Sequence, residues 1–536
     1  MSALSGIRVV DVTNNQAGPR SWSFSARTTR STAAGCDRPL NEEHDMADVD
    51  AFASATALLS ALRTGSIGAA ELTELYIRRI ERHDKRLNAV VVRDFDRARQ
   101  QARAADQARG RNESGPLLGL PITLKESINV AGLGTTCGVP EWKGYVSPHD
   151  APATARTRAA GAVLLGKTNV PPMLADWQSA NPIFGRTNNP WDLGRTPGGS
   201  SGGSAAALAA GLTSLEVGSD IGGSIRVPAA FCGVYGHRPS ETLLPRSGQF
   251  PMPPLPNAAV VMGVQGPLAR SAEDLELALS VLAGPDVGED VAWKVALPPA
   301  RRLRLADFRV AVLPPIPWHP VDEQIWAAQQ DLGARLAKLG CVVKEAQPDG
   351  LGDHREYHGF YRTLLAAVTG ARVDAETRRQ RIAMFRGAGD DLSLAHARGF
   401  EGTAGDYIMW HGRREQHRAA WRAFFRDWDV LLAPAMNVLA YPHIPRAWPE
   451  DDSDLTLTLT VNGQPVPYLH PLCYPALSTV PGQPATAFPV GVSREGLPIG
   501  LQAIGPYLED LTPIRFAALL AQEIGGFRKP AGYDAA

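Results

Sequence analysis

From residue 50 onward the chain alternates between two hydrophobic periods. Leu72, Leu75, Tyr76 and Ile80 recur at helical spacing with charged residues between them, which predicts a helix over 69–83 with those four side chains facing a core. Ser54 is placed to cap a shorter helix running to about Leu62, and Gly65 to end it. Similar reasoning predicts helices over 94–109, 154–161, 271–283 (capped by Ser271) and 511–524. Short apolar runs at 119–124, 162–167, 308–313, 341–345 and 429–433 read as buried strands. The stretch 308–313, 321–339, 341–345 spells strand, helix, strand, a unit suited to a parallel sheet. Residues 350–426 are mostly helical and polar, and 468–491 read as paired strands with proline-rich turns. Neither a repeat nor an inter-domain linker interrupts the series, so one large α/β domain is predicted despite the length of 536 residues.

The first 45 residues do not share this regularity. A short strand is expected at 4–13, followed by a polar stretch with four arginines and a single acid that lacks the apolar core of a secretory signal. Residues 1–45 therefore read as an atypical, disordered extension, with Met46 as the alternative start of a domain spanning 46–536. The opening phrase LSGIRVVDVT is similar to the start of class III CoA-transferases, unlike anything that follows.

Bulk properties exclude several partners. A formal charge of −1 argues against a nucleic-acid or anionic-membrane surface, and no apolar run approaches the ~18 residues of a membrane span. Five scattered cysteines, without CxxC or histidine-rich spacing, suggest neither a disulfide framework nor a metal site, and a reducing cytoplasm is the expected location.

The chemistry concentrates in residues 198–233, GGSSGGSAAALAAGLTSLEVGSDIGGSIRVPAAFCG. Two glycine–serine clusters flank an Ala/Leu run that predicts a short helix over 204–211 with Ser204 able to cap it. Flexible linkers do not carry the interleaved Val, Leu, Ile and Phe seen here, and the lysine of a phosphate loop is missing. Glycine-lined turns and a helix N-terminus bring backbone N–H groups toward one spot, which suits a developing oxyanion, and a hydroxyl beside them is a candidate nucleophile.

This stretch resembles the amidase signature family, serine hydrolases with a Ser-Ser-Lys triad. GGSSGGS corresponds to the segment that supplies the middle serine, here Ser200; GSDIGGSIRVPA to the segment of the nucleophile, here Ser224; and GLPITLKES to the strand of the lysine, here Lys125. The resemblance implies an α/β fold with a large mixed sheet between layers of helices. It also implies amide-bond hydrolysis through an acyl-enzyme, with no cofactor and no metal. The oxyanion hole falls on the backbone of Ile221, Gly222, Gly223 and Ser224, and Met173, Trp177 and Phe184 are placed near the cleft to touch a small-molecule amide. Relatives are often dimers. The alternative reading is a glutaminase-type subunit of a tRNA-dependent amidotransferase.

Physical chemistry adds conditions to this reading. Lys125 must be neutral to accept a proton, and burial favours that state. Glu126 follows it on the opposite face of the strand. Asp220 and Arg226 bracket the nucleophile as a bracing ion pair, while His237, a tempting base for a Ser-His mechanism, lacks a partner carboxylate in nearby sequence.

Overall fold

The computed structural model describes residues 49–251, 261–446, 448 and 455–534. The expectations for 1–45, including the strand at 4–13, lie outside the described residues. Helix α1 (Ala55–Thr64) opens with Ser54 accepting a bond from the Ala57 N–H and ends at Gly65 in the left-handed conformation. Helix α2 (Ala69–Leu87) runs a turn beyond the predicted end and buries Leu72, Leu75, Tyr76 and Ile80 together. Its stripe packs beside α3 (Phe95–Gly110), whose alanines permit close approach.

Eleven strands form one mixed sheet. Their spatial order is β1 (Val90–Arg93), β3 (Val163–Thr168), β2 (Pro121–Lys125), β6 (Glu216–Asp220), β8 (Val264–Ala269), β7 (Tyr235–Arg238), β14 (Ala485–Val492), β15 (Pro498–Ile504), β11 (Val430–Pro434), β9 (Arg309–Val312) and β10 (Val342–Glu345). Strand β2 lies parallel to both β3 and β6, and β9 parallel to both β10 and β11; the remaining pairs are antiparallel. Two hairpins, β4 (Ala180–Asn181) with β5 (Gly185–Arg186) and β12 (Thr458–Val461) with β13 (Gln464–Pro467), stand apart from it.

Every residue of β2, β3, β6, β8, β11 and β15 is buried, so both faces of the sheet are covered. Strand β11 shows the division directly. Val430 and Leu432 join the apolar cluster built from α1, α2, α7 (Ala272–Leu282), α8 (Glu323–Lys338) and α14 (Leu511–Ile524), whereas Leu431 and Ala433 join a second cluster with α9 (His354–Gly370), α12 (Ala404–Asp427) and α13 (Cys473–Thr479). Alternate side chains point to opposite faces. The polar stretch 350–426 is helical as predicted, with α10 (Ala375–Ala388) and α11 (Asp391–Glu401) between α9 and α12. Helix α4 (Pro152–Ala159) precedes β3.

Two expectations are corrected. The stretch 468–491 contains the buried helix α13 before strand β14, rather than paired strands, because all seven residues of α13 are enclosed and leave no periodicity to read. Helix α5 (Gly202–Ala209) starts two residues before the predicted position, with Ser201 at its N-cap. Ser204 is not the cap; its hydroxyl meets Thr168 Oγ1 at 2.9 Å.

Candidate active site

Lys125 is the last residue of β2, between β3 and β6, and is wholly buried. Its Nζ lies 2.7 Å from Ser200 Oγ, 2.9 Å from Ser201 Oγ, 3.1 Å from Ser219 Oγ and 3.4 Å from Ser219 O. All four partners are uncharged. Burial lowers the amine from its ordinary 10.5 to about 7, against the opposing pull of Asp220, Cys137 and Glu216. Glu126 faces the other way, as strand alternation requires, and its carboxylate accepts the N–H groups of Thr136 and Cys137. A second buried lysine, Lys167 on β3, donates to Gly134 O at 2.6 Å and Thr135 Oγ1 at 2.8 Å, so it braces the loop after β2 and stays apart from the serines.

The serine pair enters from the long irregular segment before α5. Gly199 packs so tightly that a Cβ there would sit 2.4 Å from Asp176 O, which accounts for the glycine. The Gly199–Ser200 peptide is cis. Ser201 N–H donates to Ser224 O at 3.1 Å, tying the start of α5 to the turn that carries Ser224.

That turn runs from the end of β6 to α6 (Arg226–Cys232). Asp220 organises it: its carboxylate accepts from Gly223 N–H at 2.9 Å, Ile225 N–H at 3.1 Å and both Nε and Nη2 of Arg226 at 3.0 and 2.9 Å. Burial alone would push the Asp220 carboxyl up, but the guanidinium of Arg226, with Arg238 behind it, holds it well below the usual carboxylate range. Arg226 is fully buried and also reaches Ser478 Oγ and Gln502 Oε1, each at 2.8 Å. Gly223 has φ +90° and would set a Cβ 2.8 Å from Pro475, so a side chain is excluded there. Its N–H is engaged by Asp220, which removes Gly223 from the expected oxyanion donors and leaves the amides of Ile221, Gly222 and Ser224.

The predicted cleft residues divide. Trp177 is buried beside the turn that carries Ser224 and donates from Nε1 to Gly222 O at 3.4 Å. Met173 is half-buried with φ +53°, its N–H donating to Cys137 O at 2.9 Å. Phe184 sits at the tip of the β4–β5 hairpin, where its carbonyl accepts from Asn88 Nδ2 at 2.7 Å. His237 does have a carboxylate partner, contrary to the reading from nearby sequence. Its Nε2 meets Asp510 Oδ1 at 3.1 Å and its Nδ1 meets Thr486 Oγ1 at 2.9 Å, so the ring fastens β7 to the chain before α14.

Four site residues escaped the sequence reading. Ser201 and Ser219 complete the lysine's hydroxyl cage, and each stands in one of the two glycine–serine clusters. Glu216 is buried at the foot of β6, accepts from Thr168 Oγ1 at 2.8 Å, and is raised to about 7 by that burial. Tyr361, on α9, donates to Ile221 O at 3.0 Å; no local signal marks it.

A buried lysine caged by serine hydroxyls, next to a glycine-rich turn that presents another serine, is an arrangement for acyl transfer. Comparison with known proteins agrees. Residues 71–512 match the Amidase family. A Mycobacterium tuberculosis protein named as an amidase, AmiB2, is 36% identical over 477 residues, 87% of this chain and 95% of that protein. Indoleacetamide hydrolase of Bradyrhizobium diazoefficiens is 33% identical over 474 residues, 87% of this chain and 86% of that protein. The solved structure of a 6-aminohexanoate cyclic dimer hydrolase superposes with a TM-score of 0.72 at 29% identity, covering 90% of this chain and 99% of that one. The chain belongs to the amidase signature family. It is a hydrolase of C–N bonds, and no helix among the described residues is long and apolar enough to cross a membrane.

Proposed function

We propose that this protein hydrolyses small-molecule amides through Ser224, Ser200 and Lys125. The observation that carries the reading is the wholly buried Lys125 amine, lowered to about 7 and 2.7 Å from Ser200 Oγ. Ser224 Oγ attacks the amide carbon and forms the C–O bond; its proton goes to Ser200, whose own proton passes to the neutral Lys125. The carbonyl oxygen becomes an oxyanion, met by the amides of Ile221, Gly222 and Ser224. On collapse the C–N bond breaks, and the lysine returns its proton through Ser200 to the leaving nitrogen. Water then cleaves the acyl-enzyme by the same relay and yields a carboxylate. Ser201 and Ser219 keep the amine's hydrogens engaged so that its lone pair faces Ser200. No cofactor enters this scheme.

The substrate is an amide of an aryl or alkyl carboxylic acid, in keeping with the hydrolase names of the relatives above and with the aromatic Trp177 beside the turn. Those names favour this over the amidotransferase reading. Intact mass after exposure to a fluorophosphonate tests the scheme. A single adduct is expected on the wild type and none on Ser224→Ala; an unlabelled, folded wild type or an adduct on both proteins would overturn it.

A further inference from the structure

Helix α9 makes two matched bonds that the proposed chemistry does not use. Tyr357 and Tyr361 stand four residues apart and so share one face of the helix. Both are buried, 1% and 0% exposed, and each gives its hydroxyl to a backbone carbonyl. Tyr357 Oη donates to Leu477 O of α13 at 3.1 Å, and Tyr361 Oη donates to Ile221 O at 3.0 Å. Burial pushes the Tyr361 hydroxyl above its ordinary value, so it keeps its proton and remains a donor. The ring of His358 stacks on that of Tyr361 at 5.8 Å.

Only the second bond reaches the turn that carries Ser224. Ile221 O and the Gly222 N–H belong to one peptide unit, and that unit is trans. A trans peptide is planar, with its C=O and N–H pointing in opposite directions. A hydroxyl that holds the carbonyl toward α9 therefore turns the Gly222 N–H away from α9. The next peptide is held separately, by Trp177 Nε1 at 3.4 Å from Gly222 O and by Asp220, which accepts from Gly223 N–H at 2.9 Å. Gly222 itself is shaped by the contact. A Cβ there would sit 2.9 Å from Tyr361 Oη and 2.8 Å from Leu472 Cδ2, and its φ lies outside the left-handed region, so close approach accounts for the glycine.

We infer that Tyr361 is a positioning residue of the proposed oxyanion hole: by gripping Ile221 O it fixes the direction of the Gly222 N–H before charge develops on the substrate. The inference rests on the amide-hydrolase reading above and names what pre-sets one of its three donors. Loss of a whole oxyanion donor costs about 10²–10³ in rate. Tyr361 acts through the peptide, so removing its hydroxyl forfeits part of that.

Second-order rates of Ser224 labelling by an alkyl fluorophosphonate, followed from pH 5 to 9, test it. The step forms the Ser224 Oγ–P bond and expels fluoride, while the phosphoryl oxygen takes up charge as the carbonyl oxygen of an amide does. Tyr361→Phe keeps the ring and removes the hydroxyl. It should label about tenfold or more slowly at every pH, with the midpoint of the acid limb unmoved because Lys125 keeps its surroundings. Tyr357→Phe removes the matched bond one turn earlier. It should lower the thermal midpoint by as much as Tyr361→Phe does, yet label within about twofold of wild type. Gly222→Ala pushes the Tyr361 hydroxyl aside, so its loss and that of Tyr361→Phe should overlap in the double variant rather than multiply. Equal rates for wild type and Tyr361→Phe, equal slowing by the two tyrosine variants, or losses that multiply would overturn the role of Tyr361 and leave the amide-hydrolase reading standing. A folded wild type that fails to label would strike that reading itself, and the inference with it.

Discussion

The lysine's buried position sets a pH dependence that can be worked in both activity and stability. Lys125 falls from 10.5 to about 7 on burial. Unshifted, roughly one amine in three thousand would be neutral at pH 7; at about 7, about half are. As base in the proposed relay it would act only when neutral, so kcat/KM for an uncharged amide should fall about tenfold for each pH unit below about 6. Stability carries the same signature with a definite sign. Between about 7 and 10.5 the unfolded chain holds a proton that the folded chain has released, so stability rises with pH across that window. At about 1.4 kcal/mol per pH unit, the drop from 10.5 to about 7 amounts to about 5 kcal/mol of destabilisation at neutral pH and below. Lys125→Met keeps the length and removes the charge, at the loss of the bonds to Ser200, Ser201 and Ser219. Its thermal midpoint relative to wild type should therefore be higher at pH 7 than at pH 10, while amide turnover drops by several orders of magnitude. A midpoint difference that does not change with pH, or a wild-type kcat/KM flat from pH 8 to 5, would refute the account of a neutral, desolvated lysine.

Two further substitutions probe the supports of the site. Glu216 raises the Lys125 pKa by its charge, so Glu216→Gln should move the acid limb of the kcat/KM profile to lower pH; an unmoved limb would mean the two groups are not coupled. Asp220→Asn would leave the fully buried Arg226 without its counter-ion and weaken the acceptors of the Gly223 and Ile225 amides. A loss of about 3–5 kcal/mol in urea unfolding is expected, with slower fluorophosphonate labelling of Ser224. Wild-type stability would show that the pair does not hold the turn.

The elements with strong local signals were legible along the chain. Ser54, Ser271 and Gly65 mark helix ends by their own side-chain and backbone preferences, and α2 declares its buried face through the spacing of Leu72, Leu75, Tyr76 and Ile80. Lys125, Ser200 and Ser224 each stand in a short motif of distinctive composition, and the fold brings Lys125 Nζ within 2.7 Å of Ser200 Oγ. Where burial was complete the pattern failed: α13 is enclosed on every side, so nothing separates it from a strand, and α5 begins where Ser201 meets Lys125 rather than where a serine would cap it best.

The residual decisions belong to contacts between segments far apart in the chain. His237 finds Asp510, 273 residues on, and is thereby bound into the scaffold. Tyr361 reaches Ile221 O, in the turn that carries Ser224, only because helix α9 folds back over it. Local sequence determined which residues are suited to the chemistry, since conformational preference and motif are properties of neighbours. Tertiary structure decided their ionisation and their partners, because desolvation of Lys125 and Glu216 and the occupation of the Gly223 amide by Asp220 both depend on what the fold packs around them.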